Sequence, residues 1–165
     1  MEFQNNFNKN ENTFGFTLDK FNSEESSFHA IYFIDYETGS LLVSNRYTNN
    51  IDYLKDDLIC SFLSAINLFI NEINRGAKEE LQEINFKGTR ILYEREGRLL
   101  AIAITKKTNL QVERGILREI VEDFYIRFKS YINSFNGEIS PALLDYKKRL
   151  ESMKLNSLFK FNFTT

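Results

Sequence analysis

Chemistry at a protein site needs nucleophiles, bases or metal ligands at workable spacings, and this chain is sparing with all three. His29 is its single histidine and Cys60 its single cysteine. One of each cannot build a His/Cys metal cluster. A nucleophile–base pair would need the two side chains in contact. His29 opens an apolar strand pattern and Cys60 falls inside a helical one, so both read as packing residues. Paired acids occur at Asp56-Asp57, Glu79-Glu80 and Glu122-Asp123. Glycosidase-type chemistry needs carboxylates facing each other across a cleft, whereas adjacent acids on a helix point apart into solvent. No Gly-x-x-x-x-Gly-Lys-Ser/Thr loop is present, which argues against a P-loop GTPase or ATPase. Gly88-Thr89-Arg90 resembles a phosphate cradle only superficially, because a lone glycine between strands is a turn. The basic clusters Lys106-Lys107 and Lys147-Lys148-Arg149 read as solvated surface, or as weak contacts to anionic lipid or an acidic partner. The expectation is a protein that is not an enzyme, with no catalytic residue, cofactor or metal.

What these residues lack in chemistry, the elements around them supply in architecture. The 165 residues are 42% hydrophobic and 27% charged, with 16 Phe, 8 Tyr and no Trp. That composition suits one soluble domain able to bury a core without metals or disulfides. A net charge of -2 lacks the basic excess of a general nucleic-acid binder. The polar stretch from Met1 to Asn12 is unlike an export signal, and no apolar run approaches the roughly 18 residues of a membrane span. Neither end carries a lipidation motif. The expected location is the cytoplasm, a single cysteine being compatible with a reducing compartment. Membrane contact is expected only through a partner.

Residues 1–27 form a polar arm with phenylalanines at Phe3, Phe7, Phe14, Phe16 and Phe21. It reads either as a flexible leader or as an arm whose phenylalanines dock on the domain or on a partner. From Phe28 to Asp35 the pattern is apolar on both alternating faces, Ile31 and Phe33 one way and Ala30, Tyr32 and Ile34 the other. Such a strand needs cover on both sides and belongs at a sheet centre. Glu37-Thr38-Gly39 turns the chain into a second strand over Leu41 to Val43. A helix is expected from about Asp52, its cap, to Arg75, stopped by Gly76. Three strands follow between Leu81 and Thr105, turning at Lys87-Gly88 and Glu96-Gly97. The one near Gln82 to Phe86 is weakly patterned and suits an edge. Leu99 to Ile104 is apolar on both faces and again central. A second helix starts near Thr108, where Thr108 and Gln111 have capping-box spacing, and Gly137 is its expected stop. Ser140-Pro141 opens a third helix carrying Leu143, Tyr146, Leu150 and Met153. The tail from Phe159 to Phe163 alternates like a strand and either extends a sheet or lies over the core.

The first helix holds the functional clue. Leu54, Leu58, Ile59, Phe62, Leu63, Ile66, Phe69, Ile70 and Ile73 cover an arc of about 180°, where a helix on one sheet needs a stripe somewhat over 100°. Leu68 falls outside even this arc. Surplus apolar surface calls for a partner, or for cover by one of the two tails.

This order of elements resembles the longin and roadblock group of profilin-like domains over residues 28–159, leaving 160–165 as a tail. The resemblance rests on the Tyr36–Gly39 hairpin, the helix from Leu54 to Ile73, the meander from Ile84 to Tyr93 with Leu99 to Thr105, and the closing helices. A third helix favours the longin branch. The resemblance implies an α/β fold, an α/β/α sandwich whose five-stranded antiparallel sheet runs 2-1-5-4-3. One helix lies on one face and two on the other. It also implies a non-enzymatic adaptor or regulatory subunit of vesicle trafficking or signalling. Such a subunit pairs with itself or a related domain through the first helix and third strand, and binds a small GTPase. Carried onto this chain, the interface candidates are Ile59, Leu63, Leu68, Ile70, Gln82, Ile84 and Phe86. A charge at Leu63 or Ile70 is expected to break the pair with the fold intact. The alternative is a small-molecule-sensing domain of similar architecture, with a pocket between sheet and helices.

Overall fold

A computed structural model describes residues 27–48, 55–74, 80–153 and 155. The phenylalanines of the N-terminal arm, Asp52, Leu54, Arg75, Gly76 and the tail from Phe159 to Phe163 lie outside these residues. The elements are β1 (Phe28–Asp35), β2 (Leu41–Arg46), α1 (Asp56–Ile73), β3 (Glu83–Asn85), β4 (Thr89–Glu96), β5 (Leu99–Lys106), α2 (Leu110–Asn133) and α3 (Ala142–Ser152). The strands form one antiparallel sheet in the order β2-β1-β5-β4-β3. The two strands that are apolar on both faces, β1 and β5, lie side by side at its centre, paired from Phe28 against Thr105 to Asp35 against Leu99.

Both sides of the sheet are covered. Phe28, Ile31 and Phe33 pack with α2 and α3, where Phe33 stacks on Phe124 at 4.3 Å between ring centroids and Tyr146 meets both edge-on. Ala30, Tyr32 and Ile34 face α1, together with Ile91, Tyr93, Leu100 and Ile102. The hairpin turns are where glycine is required: Gly39 and Gly97 have φ of 72° and 58°, a region that costs any residue with a Cβ. A Cβ on Gly97 would also stand 3.0 Å from the Tyr125 hydroxyl.

Three helix boundaries differ from expectation. Helix α1 begins at Asp56 rather than Asp52, with Lys55 in the capping position and no side-chain cap bond. Its first turn is secured by the Asp56 carboxylate instead, which accepts from Ser44 Oγ at 2.7 Å and pairs with Arg46 on β2. Acids in that turn also suit the helix dipole. Helix α2 is capped by Asn109 and not by Thr108, its Oδ1 accepting from the N–H groups of Gln111 and Val112. Thr108 lies one residue before the cap, where its N–H and hydroxyl both donate to Glu113 Oε1, at 2.8 and 2.9 Å. Helix α2 also stops at Asn133, before Gly137, whose φ of 98° belongs to the loop beyond. The start of α3 agrees with expectation to within a residue: the Ser140 carbonyl accepts from Leu143 N–H, and its Oγ from Ala142 N–H.

Candidate functional site

Helix α1 offers two apolar stripes. The inner one, Ile59, Cys60 and Leu63, is buried against the sheet and continues into buried Asn67. On the outer face Leu58, Phe62, Phe69 and Ile73 are each 61–63% exposed, and Leu68, on a neighbouring flank of the helix, is 55% exposed. Positions 58, 62, 65, 69 and 73 recur at intervals of three and four, so they share one face of the helix. Five large apolar side chains along one helix are far from the scattered exposure that is normal on a surface.

The candidates from sequence divide across these stripes. Ile59 and Leu63 are 9% and 2% exposed, so they serve the core of the single chain and offer little area to a partner. Ile70 is half-buried. Leu68, outside the apolar arc, is 55% exposed. A charge at Leu63 would therefore challenge folding rather than pairing, a correction to the expectation above. The outer residues Leu58, Phe62, Phe69 and Ile73 belong to the same apolar arc as the buried ones. Periodicity gives the width of an arc and not which half faces the sheet.

At the sheet edge, β3 pairs on one side with β4, as Glu83 against Leu92 and Asn85 against Arg90. Among the described residues no strand pairs with its other side. Phe86 N–H donates to the Thr89 carbonyl and Tyr93 N–H to that of Gln82. Antiparallel alternation then turns the backbone groups of Glu83 and Asn85 outward, where no described strand meets them. Ile84 packs on the α1-side core. Gln82 and Phe86 share its face by the same alternation, and both are exposed. Glu83 and Asn85 face the α2 side. There Arg114 reaches Glu83 at 2.9 Å and the Gln82 carbonyl at 3.2 Å, while Arg90 holds Asn85 at 3.2 Å. Hydrogen bonds from Asn85 and Arg114 hold the Glu83 carboxyl below its ordinary pKa. The edge is thus a short, braced strand and not a frayed one.

The residues weighed for chemistry are engaged elsewhere. His29 Nδ1 lies 3.2 Å from Thr48 Oγ1, and burial with the nearby Lys106 charge lowers its pKa. Burial, with Asp56 and Asp57 near, pushes the Cys60 thiol up to about 12, which keeps it a thiol and a poor nucleophile. Asp123 is held by Tyr146, Arg127 and Arg149. Burial raises the pKa of Asp35, but hydrogen bonds from Arg98 and Thr38 outweigh that and leave it low. Among the described residues no three His, Cys, Asp or Glu are grouped to hold a metal, and no helix is long and apolar enough to cross a membrane.

No family model matches the sequence, and no curated protein does. Among solved structures, Myxococcus xanthus MglB is similar, with a TM-score of 0.54 and 18% identity, over 66% of this chain and 89% of that one. At that identity the likeness is one of fold, and together with the strand order and helix placement it gives this chain a longin/roadblock-type α/β domain.

Proposed function

We propose that this chain is a non-enzymatic adaptor. It pairs with a second copy, or a related domain, through the outer stripe of α1 and the β3 edge, and the pair presents a composite surface to a small GTPase. The observation that carries the reading is the exposed row Leu58, Phe62, Phe69 and Ile73, with Leu68 exposed on the flank beside it. Covering the exposed part of each would stabilise a complex by about 1 kcal/mol or more, so two copies together could offset the several kcal/mol that association costs. The outward backbone groups of Glu83 and Asn85 would set register, since strand addition at an open edge is directional. Phe86 would add apolar area beside that edge. The GTPase assignment rests on what the longin and roadblock resemblance implies, as does a place in trafficking or signalling. A cytoplasmic location, with membranes reached through a partner, belongs to the same reading.

The test is a pull-down from source-cell lysate with this chain as bait, run in parallel with GDP and with a non-hydrolysable GTP analogue. The expected result is a small GTPase enriched in one nucleotide state and lost with Phe69→Asp bait. Recovery of only this chain or another α/β domain, in both nucleotide states, would remove the GTPase link.

A further inference from the structure

Beneath the C-terminal half of α1 the packing opens into two small concavities of about 80 and 90 Å³. Tyr36, Asn67 and Leu100 line both, so Asn67 stands between them. The first continues toward Gln82 and Tyr93; the second lies under Ser64 and Leu68, against the turn at Thr38-Gly39. A helix packed on a sheet normally fills this space with apolar side chains. Here the sequence places Ser64, Asn67 and Asn71 there instead.

These polar groups are not all satisfied. Asn71 Nδ2 donates to the Tyr36 hydroxyl at 2.7 Å, and the guanidinium of Arg95 stacks 3.7 Å from the same ring, so that wall is fixed. Ser64 Oγ, by contrast, is buried without a hydrogen-bond partner. It does not bond back to its own helix, the usual recourse of a mid-helix serine. The Asn67 side chain is 4% exposed and turned onto both concavities. Buried polar groups are seldom left without partners. Of the charged neighbours, Arg95 pairs with Glu80 at 2.6 Å, Glu94 with Arg118 at 3.3 Å, and Glu37 shares Arg98 with Asp35, which leaves the Ser64 hydroxyl without a partner beside the Asn67 carboxamide.

We propose that this seam binds a small uncharged molecule of the carboxamide class, hydrogen-bonded by Ser64 and Asn67 between Tyr36 and Leu100. A carboxamide donates and accepts at once, as Ser64 and Asn67 do. An anion would meet a lining that already carries the carboxylates of Glu37, Glu80 and Glu94, with Arg95 held by Glu80. Each concavity has the liquid volume of about three waters, well below the roughly 300 Å³ at which drug-sized sites begin. The ligand is therefore limited to a few non-hydrogen atoms. The site lies on the Ser64–Leu68 flank of α1, away from the face that carries Leu58, Phe62, Phe69 and Ile73, and its test does not depend on pairing.

Acetamide is the probe, with isosteric acetate as the charged control, titrated into the isotopically labelled full chain by two-dimensional NMR. Acetamide is expected to move the amide resonances of Gly39, Ser64 and Asn67 on one saturating curve, with a midpoint of about 1–10 mM, the range open to so small a ligand. Acetate, and acetamide with Ser64→Ala or Asn67→Leu, should each bind at least about tenfold more weakly. Ser64→Ala is the milder change and decides alone if Asn67→Leu perturbs the fold. A linear response without saturation, or equal midpoints in wild type and Ser64→Ala, would overturn the site and leave water as the occupant.

Discussion

Phe69→Asp is expected to leave a folded protein that no longer self-associates, while Leu63→Asp is expected not to fold stably. The two positions lie on one helix but on opposite stripes, Phe69 63% exposed and Leu63 2%. A carboxylate at 69 stays solvated in the single chain, so unfolding free energy should change by about 0.5 kcal/mol or less. In the proposed pair it would be buried twice, once from each copy, and should weaken association by about 100-fold or more. At Leu63 the charge is buried in the single chain against Tyr93, whose hydroxyl donates to the Leu63 carbonyl at 3.4 Å. A buried charge without a partner costs about 3–5 kcal/mol, enough to remove most of a small domain's stability. Circular dichroism melts with size-exclusion light scattering separate the outcomes. An unfolded Phe69→Asp, or a folded and monomeric Leu63→Asp, would reverse the assignment of the stripes.

The second large effect is expected at Glu113, far from that helix. This carboxylate is 1% exposed and accepts from Arg90 Nη1 at 2.8 Å, Thr105 Oγ1 at 3.3 Å, and both the N–H and hydroxyl of Thr108. It joins β4, β5 and the entry to α2, and through Arg90 it braces Asn85 on β3. Glu113→Ala strands the Arg90 charge, itself only 11% exposed, and orphans the Thr108 N–H. Breaking a buried pair by removing one member costs about 3–5 kcal/mol. In a domain this size that lowers the melting temperature by roughly 10 °C. Glu113→Gln keeps hydrogen-bonding capacity without the charge and should lose less. Calorimetry on both variants checks this; a shift below about 2 °C for Glu113→Ala would mean the network is dispensable.

Much of the architecture was legible in local pattern. β1 and β5 are apolar on both faces, which placed them centrally, and Gly39 and Gly97 marked the tight turns. The weak alternation near Ile84 marked an edge. These signals are local, so one chain suffices to read them. Asn109 and not Thr108 caps α2: Thr108 is drawn to Glu113, five residues on, and Glu113 is held by β4 and β5 residues that no local window contains. The same limit split the α1 candidates. The helix buries Cys60 and Asn67 beyond the apolar arc, which rotates the sheet-facing sector away from Leu58, Phe62 and Phe69. A buried asparagine gives no sign of its burial in an apolar count. The paired concavities around Asn67 were invisible for the same reason.

The central claim is that the outer stripe of α1 pairs two such domains. Sedimentation velocity of the wild-type chain over a concentration series tests it most directly. The account predicts a reversible monomer–dimer equilibrium with a dissociation constant of about 10 µM or tighter, as expected of an apolar patch of this size joined to a strand edge. It also predicts a single monomer boundary for Phe69→Asp throughout. A wild-type chain that remains a monomer to several hundred micromolar (roughly −5 kcal/mol or weaker) would contradict self-pairing through this surface.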